Sequence, residues 1–506
     1  MIKIKNNIRE LFQSGRAGKN SEKNKSAVLA WRQYEHGREY KRSINLYDTV
    51  SENERFYRGD QWKGVNLAGL PAPVFNITKR ILDFLVNSAA AGGVNAVYRS
   101  HGIRANPERT ERAVGHMNAM FGYLWERCKM DKLLRLGLLD AGISGDAVFY
   151  CYLNENAPAE QPHTGDIAVQ LVDNVNFFVA DVNDPDLQAQ DYIIIAGRAA
   201  VSKLKAEAAR AGHGAEQLAL IVPDNSAAGG GNAAEGSAEK ATYLIKFTRN
   251  AGGYVVWEKS VKELVISGAE TGLTLYPAAY FSWQPVKNSF HGGACVTELK
   301  PNQKSINKIF AMIIKHMTDT AFSKVIYDRK LIPEWTNEVG QAIGVTAGGD
   351  VSSAVKIVGT GEMQSDVLKV LDSAIEQTKN MMGATEAALG EIDANNTSAI
   401  LALQEASAIA LEGVKFNMYQ CVEDIANIWA EMICACHDPE FSDLNPKDIL
   451  IKAKVKAGAS PRFLQAARLN TLDKLLDGGH ITLDQYLERL PDGVVADREG
   501  LMRKNG

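Results

Sequence analysis

Cysteine and long apolar runs are both scarce in this chain. The 506 residues include six cysteines at irregular spacing, so no disulfide framework is predicted. No apolar run approaches the roughly twenty residues that a transmembrane helix needs, and the charged start MIKIKNNIRELFQSG does not fit a signal peptide. We therefore expect a soluble protein made in a reducing cytoplasm, with no membrane contact.

An excess of positive charge is also lacking. Lys and Arg total 56 against 60 Asp and Glu, which gives a net charge of −4, whereas domains that grip nucleic acid are usually strongly basic. The P-loop, zincin and nucleophile-elbow motifs are absent from the sequence. With 45% apolar residues, the chain is long enough for two to four domains. We predict no catalytic site, no cofactor and no metal.

Three short motifs contain residue types found in metal or catalytic sites, and we interpret each of them as structural. In CACH, residues 434–437, alternate positions of a helix face different ways, so a metal site is not favoured. In HGGACV, residues 291–296, the glycines indicate a turn into the next helix rather than a Cys-His site. In ISGDAVFY, Gly145 fits a helix-to-strand turn.

The first half of the chain predicts a mixed α+β fold. Helical patterns cover 27–55, 77–91 and 106–144, and β-branched and aromatic stretches after residue 146 predict strands. The strands ATYLIKF and YVVWEKS flank the turn TRNAGG, which is typical of a hairpin. Residues 224–240 are Gly-, Ala- and Ser-rich and predict a flexible surface loop.

The second half predicts long amphipathic helices. One spans 296–322, a second runs from about 363 to 382, and short strands lie between them. A polar loop then precedes a helix from 399 to 436, in which Gly413 is the expected bend. DILIKAKVKAG predicts a strand, and a helical hairpin broken at Gly478-Gly479 follows.

Four lysines of the first amphipathic helix fall on one face at helical spacing: Lys300, Lys304, Lys308 and Lys315. A charge run of this kind is usually a solvated face. The stripe also has the arrangement of a surface that meets nucleic acid, the capsid, or the acidic residues Asp366, Asp372 and Glu376 of a neighbouring copy. The sequence leaves these alternatives open.

The stretch FYRGDQW contains Arg58-Gly59-Asp60, a tripeptide found in cell-adhesion ligands. An adhesion ligand is secreted, which does not agree with the cysteine usage. We interpret Phe56, Tyr57 and Trp62 as aromatic anchors of a turn. Gly59 would supply the turn conformation, and Arg58 and Asp60 an ion pair or turn hydrogen bonds.

The order of these features resembles the portal proteins of tailed bacteriophages, which form the ring through which genomic DNA enters and leaves the capsid. The matching segments are FYRGDQW with PVFNITKRILDFLVNSAAA, VQLVDNVNFFVADVNDPDLQAQDYII, GATEAALGEIDANNTSAILALQEASAIALEGVKF, and KVKAGASPRFLQAARLNTLDKLLDGGHIT. Together they cover about residues 30 to 490. No single segment is a catalytic signature, and the resemblance lies in their order.

The resemblance implies a portal-type α+β fold. Its parts would be an N-terminal arm (1–26), wing (27–295), first stem helix (296–322), clip (323–362), second stem helix (363–383), tunnel loop (384–398), long wing helix (399–437), and a strand with a helical crown (438–506). The DNA channel would be lined by the four stem lysines with Glu386, Glu391, Asp393, Asn395 and Asn396, and partners would dock at the clip through Tyr327, Arg329, Lys330 and Trp335.

The resemblance further implies a homo-oligomeric ring, usually a dodecamer, assembled in the host cytoplasm and located at one vertex of the virion. Its partners would be double-stranded DNA held without sequence specificity, the terminase large subunit, the head-tail adaptor, and the major capsid and scaffolding proteins. Acidic residues in the tunnel loop would repel phosphate and let the duplex slide. The alternatives are another virion or tail connector protein and, less favoured, an unrecognised hydrolase.

Overall fold

The fold is taken from a computed structural model. The structure describes residues 20–91, 94–100, 107–154, 166–224, 239–321, 324–332, 355–358, 366–384, 411–436, 451–457 and 472–482, with isolated positions at 334, 344, 345, 409, 485, 486 and 489. Within these ranges the chain is a mixture of helix and antiparallel sheet, which agrees with the predicted α+β class.

The N-terminal half begins with five helices: α1 Asn20–Ser43, α2 Leu46–Arg58, α3 Ile77–Ala90, α4 Pro107–Arg127 and α5 Met130–Ser144. Two of the predicted helices are each divided in two, because Asn45 and Lys129 take left-handed backbone angles that end one helix and begin the next. Helix α1 also begins seven residues earlier than predicted, within the segment expected to be a mobile arm.

Two antiparallel sheets follow. Strands β2 Asp146–Asn154, β3 Asp166–Val172 and β9 Ala278–Ser282 form a sheet in the order β3-β2-β9. Strands β4 Phe177–Val179, β5 Tyr192–Ala200, β6 Lys240–Arg249, β7 Val255–Ser260 and β8 Val265–Glu270 form a second sheet in sequential order. Helices α6 Val201–Arg210 and α7 Ala215–Ala219 follow β5. The predicted hairpin is confirmed by the β6–β7 register, and Gly253 supplies positive φ in its turn.

The predicted pair of amphipathic helices is present as α8 Cys295–Ala321 and α9 Asp366–Met381, and we call it the helix pair. Between them, β10 Lys324–Tyr327 and β11 Val355–Val358 form an antiparallel two-stranded sheet. Helix α10 runs over Glu412–Cys436. Leu411 lies in a turn immediately before α10, so the helix predicted to run continuously from 399 to 436 is interrupted there, two residues before Gly413. The predicted earlier part of this helix falls mostly outside the described residues.

The predicted strand near residue 450 is β12 Ile451–Ala457, and it pairs antiparallel with β1 Val94–Ser100. No strand was predicted at β1, so this pairing is a new feature of the fold. Tyr98 of β1 also donates a hydrogen bond of 2.6 Å to the carbonyl oxygen of Ala426, which joins β1 to α10.

The main hydrophobic core lies where α3, α4, α5, β2 and β9 pack around α10, with Trp429 of α10 fully buried at its centre. A second core fills the space between the two larger sheets, and a third holds α1 on the five-stranded sheet through Tyr34 and Phe178. Phe149 and Leu124 belong to the main core. The helix pair extends from this body, because Met382, one residue after α9, packs against the main core, and Val296 and Leu299 at the start of α8 belong to it.

Candidate functional site

The turn that contains the RGD tripeptide lies at the base of the helix pair. Gly59 ends α2 in the left-handed region, at φ 91°, which favours glycine. The backbone N–H of Asp60 donates to the carbonyl oxygen of Arg55 at 2.9 Å. Arg58 forms an ion pair with Glu54, one helical turn earlier, rather than with Asp60. The tripeptide is therefore a helix C-cap.

Aromatic side chains fix this turn to its surroundings. Phe56 is buried in the main core, and the Tyr57 hydroxyl donates to Asp83 of α3 at 2.7 Å. The indole N–H of Trp62 donates to the carbonyl oxygen of Pro73 at 2.7 Å, which closes the extended loop between α2 and α3. All three aromatic side chains therefore contact other parts of the fold and anchor the turn, as predicted.

A buried polar chain joins the same turn to α8. Gln61 is 5% exposed and its amide oxygen accepts a hydrogen bond of 2.5 Å from Asn307. Gln303 donates to Asn307 at 2.9 Å and accepts from the backbone N–H of Thr78 at 3.0 Å. None of these three residues was predicted as part of a site. Gln303 and Asn307 have one signal in the sequence, which is that they are polar positions on the otherwise apolar side of α8, and Gln61 has none.

The first two lysines of the stripe are held by an acidic residue of α2. Lys300 is 8% exposed and its ammonium group lies 2.6 Å from a carboxylate oxygen of Glu52. Lys304 reaches the other oxygen of Glu52 at 2.9 Å and lies over the Phe56 ring. The hydrogen bond from Lys300 lowers the pKa of Glu52 below its usual range. The charge of Lys300 is therefore directed to the body of the protein.

The other two lysines lie further along α8. Lys315 forms an ion pair of 2.7 Å with Asp319, one turn away on the same helix. Lys308 is exposed, and the described residues give it no ion-pair partner. On α9, Asp372 and Glu376 are exposed as well. Of the four lysines, Lys308 has the most available charge.

The helix pair also leaves large apolar side chains in solvent. Ile306, Ile313 and Leu371 are buried where α8 packs on α9. Away from that contact, several residues are about half exposed or more: Met312 (45%), Met317 (61%), Leu368 (45%), Val370 (57%) and Met381 (75%). An exposed set of this size on two neighbouring helices is typical of a surface that meets another protein.

At the far end of the helix pair, Tyr327 is the last residue of β10 and pairs with Val355 of β11. Arg329 and Lys330 are exposed in the turn that follows. Trp335 lies outside the described residues. The same is true of Glu386, Glu391, Asp393, Asn395 and Asn396. The docking and channel roles of these residues stay predictions.

The ISGDAVFY and HGGACV motifs, which are distant in sequence, contact each other in the body of the protein. Gly145, at φ 104°, lies against Gly292 so closely that a Cβ atom at 145 would stand 2.3 Å from the carbonyl oxygen of Gly292. Beside this contact, the buried Asp146 carboxylate lies 2.7 Å from Nδ1 of the buried His291. Asn174 also donates to Asp146. The His291–Asp146 pair is enclosed, which suits a structural role.

A buried lysine lies in the same region. The Lys41 ammonium group of α1 donates to the carbonyl oxygens of Asn174 and Phe177 at 2.5 Å each, and it lies over the Phe178 ring. Burial lowers the pKa of Lys41 to about 7, against the opposing effect of the Asp146 and Asp173 carboxylates. Lys41 thereby fixes α1 to the sheet.

The cysteine thiols whose side chains the structure describes lack the environment of nucleophiles. Burial raises the pKa of Cys128 and of Cys434 to about 11, so both thiols stay protonated at neutral pH. Within the described ranges, no three His, Cys, Asp or Glu side chains come together as ligands for a metal ion. None of the helices in these ranges combines the length and apolarity that crossing a membrane requires.

Comparison with known proteins gives one family. Residues 286–440 match the family model described as Phage P22-like portal protein, and this segment contains the helix pair, the β10–β11 sheet and α10. The search of curated proteins gives no match. The match confirms the resemblance of this chain to the bacteriophage portal protein family.

Proposed function

We propose that this chain is a structural portal protein that forms a ring at one vertex of a phage capsid. The ring, of about twelve copies, would be the conduit through which double-stranded DNA is packaged and ejected. The observation that carries the proposal is the match over residues 286–440 to a P22-like portal model. That segment includes the helix pair, and both of its helices carry large apolar side chains that are exposed to solvent.

The exposed apolar residues support closed assembly. Leu368 and Val370 lie about 200° apart around α9 at 100° per residue, and they are 45% and 57% exposed. A copy in a ring touches two neighbours through two different surfaces, and the interface is heterologous. Apolar side chains on two flanks of one helix suit that arrangement.

We propose Lys308 as the stripe residue that faces the DNA channel. Lys300 and Lys304 share the single carboxylate of Glu52, and Lys315 pairs with Asp319, so two of these three charges are compensated within the chain, whereas Lys308 has no ion-pair partner among the described residues. A conduit requires weak attraction, because each neutralised phosphate strengthens binding and its salt dependence. Few uncompensated lysines on α8 agree with a duplex that must slide.

The far end of the helix pair is the proposed docking site for the terminase large subunit and the head-tail adaptor. Arg329 and Lys330 are exposed in the turn after β10, where a partner would reach them without contact with the body. The domain division into wing, stem, clip and crown belongs to the same proposal. Capsid and scaffolding proteins would contact the outside of the ring.

The test is negative-stain electron microscopy of the purified full-length chain, with class averages viewed along the symmetry axis. Rings of about twelve subunits around a central hole support the portal function. Closed particles without a hole, both alone and after mixing with capsid and scaffolding proteins, would overturn it and favour another connector role.

A further inference from the structure

The outer face of the small β1–β12 sheet concentrates positive charge. The register sets Arg99 opposite Lys452, Val97 opposite Lys454 and Asn95 opposite Lys456. Because successive strand residues alternate between faces, positions 95, 97 and 99 share one face with positions 452, 454 and 456. Arg99 and Lys454 are exposed. Four basic positions therefore share one side of a two-stranded sheet.

The opposite face fixes this sheet in place. Tyr98 and Ala453 are buried, and Tyr98 is bonded to α10. The side chains of Asn427 and Glu423 in α10 accept hydrogen bonds from the backbone N–H groups of Ala453 and Val455, at 3.1 and 2.9 Å. The edge of β12 is thus covered by α10, and among the described residues none covers Arg99 or Lys454, which are both exposed.

The charges of this face have no compensation in the described part of the chain. Arg99 and Lys454 take part in none of the ion pairs found there, unlike Lys300, Lys304 and Lys315 of α8. Like charges directly opposite each other on one sheet face are destabilising, and Arg99 stands opposite position 452. Such a face gains stability from a polyanion.

We infer that the outer face of the β1–β12 sheet binds the phosphate backbone of double-stranded DNA. Alternate residues of a strand are about 6.8 Å apart, so positions 452, 454 and 456 extend over about 14 Å. One strand of duplex DNA advances about 3.4 Å per phosphate, so this length faces about four phosphates. Side chains of this kind contact the backbone without reading sequence. The choice of DNA among polyanions rests on the proposed function.

The experiment measures binding of the full-length protein to a duplex of about 30 base pairs by fluorescence anisotropy, across a salt series. The test variant is Arg99→Gln with Lys454→Gln. The matched control is Lys203→Gln with Lys262→Gln, which removes the same charge from two other exposed positions in the described residues. All four side chains are exposed, so both variants should unfold at the same urea concentration as the parent protein.

The test variant should reduce the slope of log affinity against log salt by about 2, since each phosphate contact contributes about 0.9. The control should leave the slope unchanged. An equal slope in the parent and the test variant would overturn the inference, as would an equal reduction in both variants. Polyglutamate that competes as well as duplex DNA at equal charge would overturn the DNA assignment and favour an acidic protein.

Electron microscopy of the same samples separates this inference from the proposed function. Rings that form normally while the salt slope fails to change overturn only the DNA face. A reduced slope in a protein that forms no ring supports the DNA face and counts against the portal assembly.

Discussion

Close approach of two backbones explains the glycines at 145 and 292. Gly145 links α5 to β2, and Gly292 precedes α8, so their contact joins two segments that are distant in sequence. The sequence predicted a turn at each position, but no local pattern indicates that the two turns touch. Contacts between distant segments depend on the packing of the whole fold.

We expect Gly145→Ala to lower the free energy of unfolding by at least about 2 kcal/mol, because a β-carbon would clash with a backbone oxygen and φ is positive. Gly115 is the matched control. It lies inside α4 with open space around it, so Gly115→Ala should be neutral or stabilise by up to about 1 kcal/mol. Urea unfolding measures both. Equal effects would contradict the assignment of Gly145.

Lys41 should make stability depend on pH above neutrality. Its pKa is about 7 in the folded protein against 10.5 when exposed, so between these values the unfolded chain binds more protons. Stability from this group is therefore fully present above about pH 10.5 and is lost as pH falls to about 7. Because Met does not titrate, Lys41→Met should become more stable relative to the parent protein as pH decreases from about 10.5 to about 7, as measured by urea unfolding. A constant difference would show that Lys41 titrates normally.

At the scale of elements, local patterns predicted most helices and the β6–β7 hairpin, since their periodicity is carried by neighbouring residues. Strand β1 was missed because VNAVYRS is short, and its partner β12 is distant in sequence. The lysine stripe on α8 was visible, but its partner Glu52 lies on another helix. Electrostatic pairing between elements becomes known only when the elements are packed.

Glu52 should contribute more to stability than Lys304, because it is the ion-pair partner of the buried Lys300. We expect Glu52→Ala to cost about 2 kcal/mol at pH 7, because it leaves Lys300 buried without its partner. Lys304→Met, at the more exposed end of the same cluster, should cost at most about 0.5 kcal/mol. The Glu52 contribution should be lost as pH falls below its ordinary pKa of 4.5. Urea unfolding at pH 7 and at lower pH checks all three.

At the scale of the whole molecule, the helix pair carries apolar surface that the chain itself does not cover within the described residues. In the isolated chain, α8 and α9 bury one face against each other and leave residues such as Met312 and Val370 in water. The sequence predicted the stripes that form this contact. It did not separate the side chains used within the chain from those left for a partner, because both are apolar at helical spacing.

We expect Leu368→Lys with Val370→Lys to prevent ring assembly while the monomer stays folded, since both side chains are about half exposed. Size-exclusion chromatography with light scattering should show monomers at concentrations where the parent protein forms rings. Val222→Lys, at a 61% exposed position elsewhere, should leave assembly unchanged. Normal rings from the double variant would show that these flanks are not interfaces.

The hydrogen bond from Tyr98 to Ala426 joins residues 328 positions apart in sequence, and the β1–β12 pairing reaches further still. Such pairing is slow to form, because a long loop must close before the contact contributes. During synthesis, β1 keeps an unpaired edge until β12 has left the ribosome. A nascent chain without β12 would expose that edge, so only chains that contain β12 would hide it and be fit to join one another.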